Sequence, residues 1–189
     1  MFSLASRAQA ISNNTLTVVS AISAAVAVLS LIQLFLAGAW TIDSTQINRV
    51  TAQASLKNSR AFGADRGVPK ENAKIQFDLA ADLTPLFNWN TKQVFVYLTA
   101  EYEGKNGGSN KVTFWDKIIT SKDGAVFDLK NARSKYSVWD LEKSFRERPA
   151  NLTLEWNLQP WVGPLIFGKT ETVSTFQFAG TKKPKKAKR

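Results

Sequence analysis

The sequence contains no histidine and no cysteine among its 189 residues. Without cysteine it has no disulfide, no CxxC redox site and no thiolate metal site. Without histidine it lacks the usual general base and the commonest metal ligand. A hydrolase built from this chain would have to use Ser–Lys, Ser–Glu or paired carboxylates. These absences leave the compartment open, because a domain of this size can bury a sufficient core without disulfides.

Familiar catalytic and phosphate-binding motifs are also missing. The chain has no G-x-S-x-G, no Gly-rich phosphate loop and no HExxH. Ser121–Lys122 and Ser134–Lys135 supply the residue types of a Ser–Lys dyad, but such adjacency is weak in a chain rich in both. Glu101 and Glu103 point to one side of a predicted strand at its edge, where solvated charge is the better interpretation. We therefore expect no catalytic residue, no metal and no cofactor.

Charge is missing from one long stretch, since no charged residue lies between Arg7 and Asp43. The segment Leu16–Trp40 is almost entirely apolar or small, and as a helix it would span about 37 Å, more than the ~30 Å hydrocarbon core. It predicts a transmembrane helix over 16–37, preceded by a short segment over 1–15. Trp40 falls where an interfacial aromatic residue is expected.

A removable signal peptide is the alternative interpretation of this segment. Ala37–Ala39 reads "AGA", which fits the small-residue pattern of a cleavage site. Signal peptides have apolar cores of about 7–15 residues, and this one is longer, so a retained signal anchor is favoured. Arg7 and the α-amine lie before the span, and Asp43 and Arg49 lie after it. The positive-inside rule favours a cytosolic N-terminus.

Small side chains recur at every fourth position along the predicted span. Ala21 and Ala25 share one helix face, and Ser20 and Ala24 share the neighbouring face. Small residues at this spacing let a second helix approach closely. The pattern predicts a partner helix, although an alanine-rich span without a partner would look the same.

The positive charge is concentrated at the end of the chain. Six of the net +10 charges lie in the last eight residues, "KKPKKAKR". We predict a basic disordered tail over 181–189, with a nucleic-acid or anionic-lipid patch as the alternatives.

Between span and tail, apolar residues alternate in short runs separated by turn signals. "KIQFDL" and "NLTLEWNL" predict half-buried strands, whereas "KQVFVYLTAEY" and "KVTFWDKII" are apolar on both faces, as central strands are. "EGKNGGSN" predicts the hairpin connection between the last two. Further strands are predicted at Val126–Leu129, Tyr136–Trp139, Val173–Phe178 and Ile47–Leu56. The sequence predicts an all-β antiparallel sandwich domain over 41–180, preceded by one N-terminal transmembrane α-helix.

Two stretches combine Pro or Gly with large apolar groups and predict loops. They are "TPLFNWN" (Thr84–Asn90) and "QPWVGPLIFG" (Gln159–Gly168). Loops normally lie at the surface, where their large aromatic side chains would be unfavourable in water. These side chains therefore plug the ends of the sandwich, or contact a partner protein or the membrane interface. The candidate partner contacts are Phe87, Trp89, Trp161 and Leu165.

The chain resembles one known family. "ENAKIQFDLAADLTPLFNWNTKQVFVYLTAEYE", "VTFWDKII", "KYSVWDLE" and "LEWNLQPWVGPL" are similar to the third subunit of the eukaryotic signal peptidase complex, the 22/23 kDa accessory glycoprotein, in its fungal form. The similarity covers nearly all of the chain up to about Gly180. The basic tail is not a feature that we associate with the family.

The resemblance implies a single-pass type II protein of the endoplasmic reticulum membrane with its β-sandwich in the lumen. It also implies a non-catalytic subunit that binds the catalytic serine protease subunit and other membrane subunits, and meets signal-peptide-bearing precursors only indirectly. No nucleic-acid partner is implied. Asn151, in "NLT", lies where animal members carry a glycan, whereas the second sequon, at Asn13, would be cytosolic and unmodified.

Two other functions fit parts of the sequence. A membrane-anchored sandwich receptor could bind glycans or cargo peptides without partners, and a Ser–Lys hydrolase could cleave precursors alone. Purification of the chain with or without partners separates these hypotheses from the accessory-subunit interpretation.

Overall fold

The computed structural model describes residues 3–57, 69–104, 107–139 and 148–178. A long helix, α1, spans Leu4–Leu36. Two 3₁₀ turns cover Thr84–Leu86 and Lys122–Gly124. The strands in chain order are β1 (Gln46–Lys57), β2 (Lys70–Asp82), β3 (Thr91–Glu103), β4 (Ser109–Ile119), β5 (Val126–Arg133), β6 (Val138–Trp139), β7 (Pro149–Pro160) and β8 (Ile166–Gln177).

Helix α1 is long and apolar enough to cross a membrane, and it is the one such helix in the described part of the chain. It begins at Leu4, well before the apolar segment. The Ser3 hydroxyl caps this end by accepting a hydrogen bond from the Ser6 backbone N–H at 3.3 Å. Residues 4–15 therefore continue the predicted span as helix. Beyond Leu36 the chain turns at Gly38, whose φ of 71° is the left-handed conformation that glycine adopts without strain.

The strands form two antiparallel sheets, which confirms the predicted all-β class behind one helix. In the first sheet the order is β1-β2-β5, and β6 also pairs with β2; in the second it is β4-β3-β7-β8. The inner faces carry the core. Ile75, Phe77 and Leu79 come from β2, and Val96 and Leu98 from β3, all at 1% exposure or less. Alternation along each strand sends every second side chain into the space between the sheets.

Two irregularities flank β2 in the first sheet. The register shifts between Asn48 and Thr51 on β1, and between Phe77 and Leu79 on β2. Arg49 and Asn131 lie at these places with positive φ, 48° and 53°. The Asp78 carboxylate joins them, because it accepts from the Asn131 backbone N–H at 2.7 Å and pairs with the Arg49 guanidinium at 3.3 Å. The Asp78 side chain thus stabilises the backbone at Asn131 and contacts only the exposed side chain of Arg49.

Most predicted strands are present, with two differences. The stretch predicted as the loop Gln159–Gly168 is shorter in the structure, because Gln159–Pro160 end β7 and Ile166–Gly168 begin β8. Proline is tolerated at Pro160, since it is the last ladder residue. The strand predicted over Tyr136–Trp139 is reduced to Val138–Trp139. The predicted tail over 181–189 lies outside the described residues.

Candidate functional site

The junction between α1 and the sheets is a buried, hydrogen-bonded segment. After Gly38, the Ala39 backbone N–H donates to the Leu34 carbonyl at 3.1 Å, and Ala39 and Ile42 are buried. The Ile42 carbonyl accepts from the Glu171 backbone N–H at 3.2 Å. These contacts fix the direction in which the chain leaves the helix.

Three further contacts hold the two ends of the junction against β7 and β8. The Trp40 indole N–H donates to the Phe167 carbonyl at 3.3 Å, and its ring lies 6.0 Å from the ring of Trp156. The Thr172 hydroxyl donates to the Thr45 carbonyl at 2.7 Å. Trp40, which the sequence predicts as an interfacial residue, therefore also packs on the sandwich.

One side of α1 packs against the sheet domain. We call this side the packing face; its members recur at helical spacing and are buried or half-buried: Ser23, Val26, Ala27, Ser30 and Leu34. The Asn88 amide donates to the Ser30 hydroxyl at 3.0 Å and to the Ser30 carbonyl at 3.2 Å. The backbone at Gly163 approaches so closely that a side-chain carbon there would lie 3.2 Å from the Ala27 Cβ.

The loops that touch α1 are the tip loops, residues 84–90 and 161–165. Asn90 joins them. Its amide donates to the Val162 carbonyl at 2.8 Å, its Oδ1 accepts from the Val162 N–H at 3.0 Å, and its carbonyl accepts from the Trp161 N–H at 2.8 Å. Asn90 is only 2% exposed. Asn88 and Asn90 are not predicted as site residues from sequence. Two asparagines within the otherwise apolar "FNWN" could have indicated buried, hydrogen-bonded side chains there.

The predicted contact residues in the tip loops form two groups that differ in exposure. Phe87 is half-buried and packs against the core. Trp89, Trp161 and Leu165 are more than half exposed, at 56%, 67% and 52%. The Lys92 ammonium lies 5.3 Å from the centre of the Trp161 ring. The structure thus leaves three large apolar side chains at one end of the domain, beside the helix.

A second exposed apolar surface crosses the outer face of the second sheet. We call it the apolar row. Phe95 on β3 pairs with Ile118 on β4 and with Asn157 on β7, and Asn157 pairs with Phe167 on β8. Ile118 and Phe167 are 55% and 61% exposed. Sequence alone did not identify this row, because its members belong to separate strands.

One small-residue face of α1 points away from the sheet domain. Ala21 and Ala25 lie opposite the packing face, whereas Ser20 and Ala24 lie between that face and the packing face, and all four are exposed. The helix therefore uses one side for its own domain and leaves these small side chains open.

Asn151 is exposed on the outer face of β7, opposite Glu101 on β3 and Thr175 on β8. It lies ten residues before Trp161 in the chain, and at ~3.3 Å per strand residue this separates it by roughly 30 Å from the tip loops. A modification at Asn151 would lie far from the contacts between α1 and the domain.

The side chains of Ser134 and Lys135, one candidate Ser–Lys pair, are engaged elsewhere. The Ser134 hydroxyl accepts from the Ile75 N–H at 3.2 Å, and Lys135 pairs with Asp116 at 3.4 Å. Among the described residues no group of three or more acidic side chains could hold a metal ion.

The perturbed ionisable groups have structural causes. Burial, followed by the nearby Glu155 carboxylate, raises the pKa of Tyr97, and Glu155 also pairs with Lys111. Hydrogen bonds from Thr84 lower the pKa of Asp82. None of these groups is arranged with a nucleophile, so they stabilise the sheet surface and the first tip loop.

Comparison with known proteins identifies the family. The family described as "Signal peptidase subunit" matches residues 1–181. The chain is 57% identical over 180 residues to signal peptidase complex subunit 3 of Debaryomyces hansenii, covering 95% of each chain. It is 48% identical over 171 residues to the Saccharomyces cerevisiae protein of that name, covering 90% of this chain and 92% of the yeast chain.

The likeness extends beyond fungi. Signal peptidase complex subunit 3 of Homo sapiens is 36% identical over 140 residues, covering 71% of this chain and 76% of the human chain. With a β-sheet domain behind one apolar helix, the chain belongs to the signal peptidase subunit family.

Proposed function

We propose that this chain is a non-catalytic subunit of the signal peptidase complex of the endoplasmic reticulum membrane, where it braces the catalytic serine protease subunit. In this role α1 crosses the membrane with its N-terminal end in the cytosol, and the sheet domain lies in the lumen. The proposal draws on family membership and on the names of the relatives.

The observation that carries the bracing role is the buried junction between α1 and the sheets. A brace must hold a fixed angle to the membrane, and a flexible linker cannot do so. Here the Schellman turn at Gly38, the burial of Ile42 and the ring of Trp40 on Trp156 leave little freedom between helix and domain. Positioning of this kind contributes to catalysis by a neighbour through geometry.

The absence of histidine and cysteine supports the non-catalytic part of the proposal. Removal of signal peptides would then depend on another subunit, and this chain would need no cofactor. Precursors would meet it indirectly, as they approach the protease at the membrane surface.

We propose the apolar row as the main contact with the lumenal part of the catalytic subunit. Phe95 and Ile118 are directly paired on the outside of a folded sheet, and Phe167 lies across Asn157 from Phe95. An exposed, largely apolar surface of this kind suits a second folded domain beside it. Trp89, Trp161 and Leu165 in the tip loops are the sequence-predicted contacts, and their position beside α1 suits the membrane as well as a partner protein. Phe87 has less surface available, because it packs on the core.

In the membrane, we propose that the open small-residue faces of α1 receive a helix of another subunit. Ala21 and Ala25 would allow close backbone approach, with Ser20 and Ala24 at its edge. The sheet domain does not compete for this contact, because it occupies the opposite side of α1.

Glycosylation at Asn151 provides a test of orientation. We expect a glycosidase-sensitive mass shift in the endoplasmic reticulum that is lost in Asn151→Gln. A shift that instead depends on Asn13 would place the other end of the chain in the lumen and contradict the type II arrangement.

The central test is purification of the tagged full chain in mild detergent, followed by mass spectrometry of the proteins that accompany it. We expect the catalytic subunit at near-stoichiometric amounts. Phe95→Ser with Ile118→Ser should reduce its recovery, and Ala21→Leu with Ala25→Leu should reduce recovery of membrane subunits. Ile22→Leu is the matched control for the helix variant, because Ile22 is an exposed residue of α1 and the substitution leaves the side-chain volume unchanged.

Two outcomes would overturn the proposal. Stable purification without partners, together with direct binding of glycans or peptides, would favour the receptor hypothesis. Cleavage of a precursor by the isolated chain, abolished by Ser134→Ala, would favour the hydrolase.

A further inference from the structure

The tip loops lie alongside the interior of the membrane span. Gly163 contacts Ala27, which precedes the end of α1 at Leu36 by nine residues, or about 14 Å along the axis. Asn88 bonds to Ser30, six residues or about 9 Å before the same end. A tilt of about 40° would shorten these depths by only a quarter. The domain therefore descends beside the helix.

The position of α1 in the bilayer decides whether this descent reaches lipid. The apolar segment from Leu16 to Leu36 has 21 residues, about the length needed for a ~30 Å hydrocarbon core. With this segment in the core, Ala27 and Ser30 lie below the boundary on the sheet-domain side. Gly163 and Asn88, which touch them, lie there too.

Moving the helix to keep the tip loops in water is unfavourable for two reasons. If the hydrocarbon core of the membrane ended at Ala27, its other boundary would lie at about Ala8, and it would contain Asn13 and Asn14. It would also leave Phe35 and Leu36, which are 75% and 79% exposed, in water with the last two turns of the helix. Both effects favour the deeper position.

The chemistry of the tip loops suits an apolar solvent. Trp89, Trp161 and Leu165 project large apolar surfaces from the loops, as membrane-interface residues do. The ring of Trp161 lies under the Lys92 ammonium. A lysine on a long apolar stem at this place can reach the headgroups while its aromatic neighbour stays below them.

Several polar groups within the loops are paired internally, which lowers the cost of entering hydrocarbon. The amide group of Asn90 forms two hydrogen bonds with Val162, and the Asn88 amide is satisfied by Ser30. Pro85 and Pro164 contribute no N–H.

We infer that the two tip loops insert into the membrane leaflet on the side of the sheet domain, with Trp89, Trp161 and Leu165 among the lipid acyl chains and Lys92 at the headgroups. The chain is then held to the bilayer by a helix and by the tip of its own domain. The inference requires that α1 spans the membrane, but it does not depend on any partner of the proposed complex.

The test uses the full chain with single cysteines, which is possible without background because the natural sequence has none. Leu165→Cys carries an environment-sensitive fluorophore in vesicles of phosphatidylcholine alone. Leu56→Cys is the matched control, because Leu56 is similarly exposed, at 48% against 52%, but lies near the far end of β1. Both proteins are compared at equal labelling, with thermal unfolding as the check on folding.

We expect the label at position 165 to emit at shorter wavelength than the label at 56. It should be quenched several-fold more by nitroxide-labelled lipid and several-fold less by aqueous iodide. Equal iodide quenching at both positions would overturn the inference. Protection of position 165 only in native membranes that contain the other subunits, and not in pure lipid, would assign the tip loops to a protein partner instead.

Should the cysteine at 165 disturb folding, intrinsic quenching by brominated lipid provides a second measurement. Trp161→Phe should lower that quenching more than Trp115→Phe, since Trp115 lies in the core at 7% exposure. Equal losses in the two variants would contradict insertion.

Discussion

Trp156 and Trp161 are five residues apart and have opposite environments. Trp156 is fully buried between the sheets, where Gly168 and Trp40 pack against its ring. Trp161, one residue beyond the end of β7, is 67% exposed. The comparison shows that aromatic side chains in this molecule have two roles. Inside the sheets they stabilise the fold, and at the tip loops they stay exposed, as the proposed insertion into the membrane requires.

The largest expected effect is at Trp156. Trp156→Ala should lower the free energy of unfolding by about 3–5 kcal/mol, because it leaves a cavity in the core. Trp161→Ala should change it by less than about 0.5 kcal/mol in detergent. Thermal or denaturant unfolding of the purified full chain measures both. Similar losses in the two variants would abolish the distinction.

Two companion variants sharpen this prediction. In Gly168→Ala the new Cβ would lie 2.2 Å from a Trp156 ring atom, so we expect destabilisation by about 1–3 kcal/mol from overpacking. Trp156→Phe should be milder than Trp156→Ala, because the phenyl ring leaves a smaller cavity. Neither variant breaks a hydrogen bond, since the indole N–H has no partner among the described residues.

The next largest effect is expected at Asn90, which holds the tip loops together. Asn90→Ala removes both side-chain bonds to Val162, and leaving those backbone groups unpaired should cost about 2–3 kcal/mol. Hydrogen exchange should rise at the Val162 amide while the β3–β7 ladder stays protected. Unchanged exchange in Asn90→Ala would show that the loops are held by packing alone.

A smaller effect is expected at Asp78 in the first sheet. Asp78→Ala removes the acceptor of the Asn131 N–H and the ion pair with Arg49, and should destabilise the fold by about 1–2 kcal/mol. Asn131→Gly should be close to neutral or stabilising, because glycine adopts the φ of 53° without strain. Denaturant unfolding provides the measurement, and a larger loss in Asn131→Gly than in Asp78→Ala would contradict this account.

The smallest effect concerns pH. Hydrogen bonds from Thr84 lower the pKa of Asp82 below its ordinary value of 3.8. A lowered folded-state pKa means that the carboxylate stabilises the fold above the unfolded-state pKa and that this contribution disappears as pH falls through the folded-state pKa. The thermal unfolding midpoint of Asp82→Asn should therefore differ from that of the natural chain by a constant amount above about pH 5. The two midpoints should converge as pH falls below about 4. Measurements between pH 3 and 7 test this expectation. A difference between the two midpoints that grows as pH falls would contradict it.

The strands could be predicted from sequence because their signal is local. Alternation in "KIQFDL" and "NLTLEWNL" placed β2 and β7, and the two-faced apolar runs placed β3 and β4 in the second sheet. The loop around Trp161 was predicted as too long, because Pro160 was read as a break although it only ends a ladder. The exposure of Trp89, Trp161 and Leu165 could be predicted from their positions in loops, but their role as contacts stays a prediction. The apolar row could not be predicted, because its members belong to separate strands.

The sequence by itself determined the apolar helix, the all-β body and the absence of histidine and cysteine, since composition and short periodicities specify these properties. Only the tertiary structure decided which side of α1 is covered and which aromatic residues stay outside. The physical reason is that these features depend on contacts between distant residues. Asn88 and Ser30 are 58 positions apart, and Trp40 and Phe167 are 127 apart. No local pattern encodes such contacts, and folding alone brings those side chains together.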